Sequence, residues 1–279
     1  MQARIRLVAL VAAAALTSGC ITSLTNIKVR PDGSGTIDQT LSMTAEAAKQ
    51  IAALAGGFGD PAAKKKDGGD GLPDFFSEQS MKDAAGKLGE GVVFVSSKPV
   101  STPGRVGRIA TYQFADITKV RIDQKPQTGD MPGADDSAGK EGKEDVLFRF
   151  ARRPTGSSEL TVLFPEPDFG KKKTDGADAD QDEKKTPDPQ QLEMMKKIFE
   201  GLKVGIDVTV FGQIIKTNSP YVQGSTVTLL EMDFSQVLAN DVLMSRMNQP
   251  KSLEEAKAML KDVKGFKINL DREVAIEFK

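Results

Sequence analysis

The chain has 279 residues, 38 of them basic and 39 acidic, with no histidine, no tryptophan and a single cysteine. A formal net charge of -1 leaves no strong field of one sign to hold nucleic acid, and a lone cysteine excludes a framework of intrachain disulfides. Without histidine there is no Ser-His or Cys-His nucleophile pair and no HExxH zinc site, so only carboxylate, lysine and tyrosine chemistry is open.

The first stretch reads MQARIRLVALVAAAALTSGC. Arg4 and Arg6 make a basic start, Leu7 to Leu16 an apolar run, and Thr17, Ser18 and Gly19 a small-residue end, the order of an export signal. The apolar run is shorter than the about 20 residues that span a bilayer. Leu16-Thr17-Ser18-Gly19-Cys20 resembles the bacterial lipobox. The resemblance implies removal of residues 1–19, a diacylglyceryl group on the Cys20 thiol and, usually, an acylated amine, so that fatty chains such as palmitate anchor the protein durably. Ile21 rather than aspartate after the cysteine resembles outer-membrane sorting. The expected address is therefore the periplasmic side of an outer membrane if the cell has two membranes, and otherwise the outer face of the cytoplasmic membrane.

After the anchor, IKVR (27–30) and GTIDQTLSM (35–43) flank PDGS, a turn signal, and together predict a β-hairpin. Ile37, Leu41 and Met43 fall on one face of its second strand. TAEAAKQIAALAG begins at a helix N-cap, Thr44, and ends at Gly56, and Ser77 to Leu88 is a second helical stretch. A period of two recurs at 92–97, 108–117, 145–150, 159–164, 205–211, 225–234, 266–270 and 273–278. Such alternation marks an antiparallel sheet with one face wet. Leu192, Met195, Phe199 and Leu202 form a helical stripe, as do Leu253, Ala256, Leu260 and Val263. Segments at about 56–71, 124–143 and 166–189 are rich in Gly, Pro, Asp and Lys, and their composition predicts disordered insertions. The sequence thus predicts one α+β domain over 20–279, a largely antiparallel sheet with helices packed on one face, interrupted by those loops.

Chemical signatures are few. Asp178, Asp180 and Asp182 have the alternate spacing of a calcium loop, but Glu183 and Pro189 stand where that loop needs glycine and glutamate. Asp32-Gly33-Ser34-Gly35 lies in no phosphate-binding or nucleophile-elbow frame and reads as a tight turn. Glu231 and Asp233 are the acidic pair best placed for carboxylate hydrolysis, though 39 acidic residues always offer some pair. The expectation is a non-enzyme with no metal and no cofactor, whose partners are the membrane, reached through acyl chains on Cys20, and lipid or envelope proteins, but not nucleic acid.

GLKVGIDVTVFGQIIKTNSPYVQGSTVTLLEMDF (201–234) resembles the paired strands of the LppM-like lipoprotein domain, and VRPDGSGTIDQTLSM resembles the opening of such envelope lipoproteins. The resemblance implies an α+β domain tethered outside the cytoplasmic membrane, binding lipid or another apolar ligand between sheet and helices. The groove it implies would be lined by Leu192, Met195 and Phe199 from a helix, and by Ile206, Val208, Val210, Val227 and Leu229 from strands. Two other classes stay open. A scaffold or interaction module would show an exposed apolar patch or an open sheet edge, and a hydrolase would show converging carboxylates.

Overall fold

The computed structural model describes residues 21–49, 76–123, 145–165, 201–238, 255, 263, 265–269 and 271–279, the side chains at 237 and 238 excepted. In chain order its strands are β1 (Ile21–Val29), β2 (Gly35–Thr44), β3 (Val93–Pro99), β4 (Arg105–Phe114), β5 (Ile122–Asp123), β6 (Asp145–Arg152) and β7 (Ser158–Leu163). They continue as β8 (Lys203–Val210), β9 (Ile214–Thr217), β10 (Val222–Gln223), β11 (Thr226–Asp233), β12 (Phe266–Ile268) and β13 (Glu273–Phe278). Short helices α1 (Glu78–Ala84) and α2 (Phe234–Leu238) and two 3₁₀ turns punctuate them.

The hairpin of β1 and β2 forms where PDGS predicts it. Gly33 stands at φ 84°, a backbone state that glycine enters without steric cost. The Asp32 carboxylate accepts hydrogen bonds from the Ser34 N–H at 2.9 Å and the Ser34 hydroxyl at 2.7 Å, and these bonds hold its pKa below the ordinary carboxylate value.

Eight strands make one sheet in the order β10-β11-β8-β1-β2-β4-β3, with β12 also paired to β11. All its pairings are antiparallel except β1 with β8, which are parallel. The register aligns Val208, Ile27, Ile37 and Tyr112 across four neighbouring strands, and all four are fully buried. A second, five-stranded sheet runs β5-β6-β7-β13-β9. Its inward row includes Val146, Phe148, Leu160, Val162, Val274 and Ile276, and these belong to the same continuous core as the large sheet. Each such side chain contributes about 1.5–3 kcal/mol by leaving water, so the shared core is what joins the sheets.

A single sheet covered by helices is therefore not the whole architecture: a second sheet shares the core. Period-two alternation shows that a strand has one covered face, but not which sheet it joins. Residues 45–49 are helical, with Thr44 Oγ1 accepting from the Ala47 N–H at 3.2 Å. Ser77 caps α1 by accepting from the Ser80 N–H at 3.1 Å. Helix α1 buries Met81, and Ala85 and Leu88 in the following turn are buried too. The buried Tyr112 hydroxyl donates to the Met81 carbonyl at 2.9 Å, tying α1 to β4. The two apolar stripes at 192–202 and 253–263, and the insertions at 56–71, 124–143 and 166–189, lie outside the described residues apart from Gly201, Leu202, Glu255 and Val263.

Candidate functional site

Strands β1 and β2 present an inward row that changes character along its length. On β1 it reads Ile21, Ser23, Thr25, Ile27, Val29, and on β2 Gly35, Ile37, Gln39, Leu41, Met43. Apolar residues close both ends, and polar ones occupy the middle. Thr25 pairs with Gln39 on one side and Ile206 on the other, while Ser23 pairs with Leu41 and Val204. The three polar side chains are thereby gathered onto one patch of the sheet by register alone.

That patch is the floor of a depression where the large sheet meets α1 and β5, with a cavity volume of about 40 Å³. Its walls are Leu41, Met81, Ile122, Val204 and Ile206, and Asp123 stands at its lining as well. Ser23, Thr25 and Gln39 are half-buried, and among the described residues none of the three has a hydrogen-bonding side-chain partner. Their polar atoms are not sealed from solvent, so the trio meets water at the floor of the depression and keeps hydrogen-bonding capacity there. Asp123 is the one charged side chain among the described lining residues.

Tyr112 supports the wall from behind. Its hydroxyl holds the backbone of Met81, and its ring meets Phe94 edge-on at 5.9 Å with planes inclined by 73°. Burial pushes the Tyr112 pKa up to about 12, because the phenolate would lose its hydration.

The residues expected to line a groove divide three ways. Ile206 lines the depression. Val208, Val210, Val227 and Leu229 are buried in the shared core. Leu192, Met195 and Phe199 lie outside the described residues, as does Cys20, although β1 begins at the next residue, Ile21. The acidic pair sits elsewhere: Glu231 binds the Lys267 ammonium at 2.7 Å, and Asp233 accepts from the Ser235 N–H at 3.1 Å. Met232, between them, pairs with the depression residue Val204, so alternation turns both carboxylates to the opposite face. Asp178, Asp180 and Asp182 lie outside the described residues. Among the described residues no group of three or more acidic side chains is placed to hold a metal ion, and no helix is long and apolar enough to cross a membrane.

Sequence reasoning missed Ser23, Thr25 and Gln39. ITSLTN lacks strict alternation, so the first strand is expected to start at Ile27, whereas it starts at Ile21. Extending the hairpin register back from Ile27↔Ile37 would have placed the polar trio on the covered face.

No protein-family model and no curated protein sequence matches the chain. Among solved structures, the chain is similar to the NMR structure of the folded domain of Mycobacterium tuberculosis LppM, with 12% identity and a TM-score of 0.32 over 94% of this chain and 91% of that one. A likeness that loose assigns neither fold nor role.

Proposed function

We propose that this protein is a lipid-anchored lipoprotein of the cell envelope whose role is to bind lipid or another apolar ligand without catalysis. In this reading residues 1–19 are a cleaved leader and acyl chains on Cys20 hold the domain to the membrane. The membrane is the outer one, with the domain in the periplasm, in a cell that has two, and the cytoplasmic membrane otherwise. The observation that carries the reading is the small depression, about 40 Å³, whose apolar walls stand over three polar side chains that have no side-chain hydrogen bond among the described residues. Its place supports the anchor: β1 starts one residue beyond Cys20. At about 3.3 Å per residue, Ser23 lies only about 10 Å along the strand from the acylated position.

The test has two parts. Replacing Cys20 with serine is expected to release the protein from membranes and abolish fatty-acid labelling. Mass spectrometry of organic extracts of the protein purified from its own membranes is expected to find a stoichiometric apolar ligand. A wild-type protein that is not acylated, or that carries no ligand, refutes the corresponding half.

One observation favours the interaction-module reading. β3 is an edge strand whose Val93 and Val95 are more than half exposed, and an open edge can add a strand from a partner. The register shift between Phe94 and Ser96 counts against it, since a bulge at Val95 breaks the hydrogen-bonding row that an added strand needs. Self-association that Val95→Lys abolishes would favour this reading over ligand binding.

A further inference from the structure

An anchor at Cys20 leaves no spacer between lipid and fold. Cys20 is bonded to Ile21, the first residue of β1, so its Cα lies about 3.8 Å from the end of a central strand of the eight-stranded sheet. The register shows what surrounds that end. Ile21 pairs with Met43, and Thr44, the next residue, pairs with Arg105, so β4 begins about one 3.3 Å rise past Ile21. On the other side Thr22 pairs with Lys203, and Lys203 with Asp233, so β8 starts and β11 ends there too. Past these strand ends the chain runs farther out. Residues 45–49 are helical and 101–104 form an exposed turn, joined where the Ala45 N–H donates to the Gly104 carbonyl at 3.0 Å. Helix α2 starts at Phe234, whose N–H donates to the Leu202 carbonyl at 2.9 Å.

The headgroup layer of a bilayer is about 5–7 Å deep on each side, and the thioether and glycerol that link an acylated cysteine to its chains are only a few bonds long. Chains on Cys20 therefore reach hydrocarbon only if this end of the sheet meets the headgroups. The Arg105 guanidinium braces it, donating to Thr22 Oγ1 at 2.8 Å and to the Ser42 carbonyl at 3.2 Å. Lys203 and the exposed Lys49 have no hydrogen bond or ion pair among the described residues, so both ammonium groups can meet lipid phosphates. Resting on the reading that Cys20 is acylated, we infer that the domain is seated on the membrane rather than tethered above it. The end face made by the helix at 45–49, the turn at 101–104 and the start of α2 rests on lipid headgroups, held there because no spacer separates it from the anchor. The PDGS turn, at the other end of β1, then stands about 26 Å from that face.

The experiment uses the full mature chain, acylated at Cys20, in phospholipid nanodiscs that contain lipid spin-labelled at the headgroup. A fluorophore is attached through Thr102→Cys, in the exposed turn of the seated face, or through Thr155→Cys, in the exposed turn between β6 and β7. The second turn belongs to the far end, because the Ser158 hydroxyl donates to the Pro31 carbonyl at 2.8 Å. Quenching is expected to be at least about fivefold stronger at 102 than at 155, since about 26 Å of strand separates the two ends. Inserting about twenty glycine and serine residues between Cys20 and Ile21 gives a spacer of about 25 Å mean reach, and is expected to bring the two positions within about twofold of each other. Broadening of amide signals by the same lipid reads the same contrast on the unsubstituted chain.

Equal quenching at the two positions, or stronger quenching at 155, overturns the seating while leaving the anchor intact. So does a contrast that the inserted spacer leaves unchanged, since the missing spacer would then not be what holds the face down. If the intact mass of the wild-type protein shows no acyl chains, the inference and the anchor it rests on fall together. The amide measurement on the unsubstituted chain holds even if a labelled variant fails to fold.

Discussion

Replacing Tyr112 with phenylalanine removes one oxygen from the interior and gives a stability change whose size depends on pH. The ring is fully buried, so phenylalanine keeps its packing and its edge-on contact with Phe94. What is lost is the hydrogen bond to the Met81 carbonyl, which is expected to cost about 1–2 kcal/mol at pH 8, since the carbonyl is left short of a partner. Ionisation then works against the wild type. The folded-state pKa, about 12, lies above the ordinary 10.0, so the unfolded chain gives up its phenolic proton first. The stabilisation is complete below pH 10 and is lost as the pH rises toward 12. At pH 11 the loss amounts to about 1.4 kcal/mol. The difference between wild type and Tyr112→Phe, measured by urea unfolding of a chain beginning at Ile21, is therefore expected to shrink to near zero at pH 11. Lysine titration affects both proteins alike and cancels. A difference that stays constant from pH 8 to 11 would show that Tyr112 ionises equally in both states, which refutes the buried phenol.

Gly35→Ala places a Cβ 1.9 Å from the Lys28 carbonyl oxygen and 2.6 Å from Phe114 Cζ. The first hairpin must open to admit it, with an expected loss of about 3 kcal/mol or more, read as a large fall in Tm. An unchanged Tm would mean that β1 and β2 do not pair in this register. Leu229→Ala, at a fully buried core position, is expected to cost about 2–5 kcal/mol in urea unfolding. A cost under about 1 kcal/mol would move Leu229 from core to groove wall. Arg149→Ala breaks an ion pair with Glu273 whose side chains are both more than half exposed, so less than about 1 kcal/mol is expected. A larger change that high salt does not reduce would contradict a solvated pair.

Several features follow directly from residue order. The tight turn at PDGS forms because Asp32 and Ser34 bond locally and Gly33 adopts φ 84°. The cap at Ser77 and the strands near 108–117, 145–150, 159–164 and 273–278 follow from side chains a few residues apart. β9 and β10 are less legible, being short and flanked by glycine and proline. Long-range pairing is different in kind. The parallel contact of β1 with β8 joins Thr22 to Lys203 across most of the chain, and no local pattern specifies it. Val208 and Leu229 show the same limit at the level of side chains: their apolar alternation marks them as covered, yet a covered residue can face a cavity or a solid core.

The sequence by itself determined which faces of the strands leave water, where the chain turns, and that it offers no histidine and no pair of cysteines for an intrachain disulfide. Only the tertiary structure decided that two sheets share one core, that Glu231 and Asp233 lie on the face away from the depression, and that Ser23, Thr25 and Gln39 meet on its floor. The physical reason is range. Turns, caps and alternation are set by neighbours along the chain, whereas the register that brings three strands side by side is settled by the burial of the whole apolar face at once.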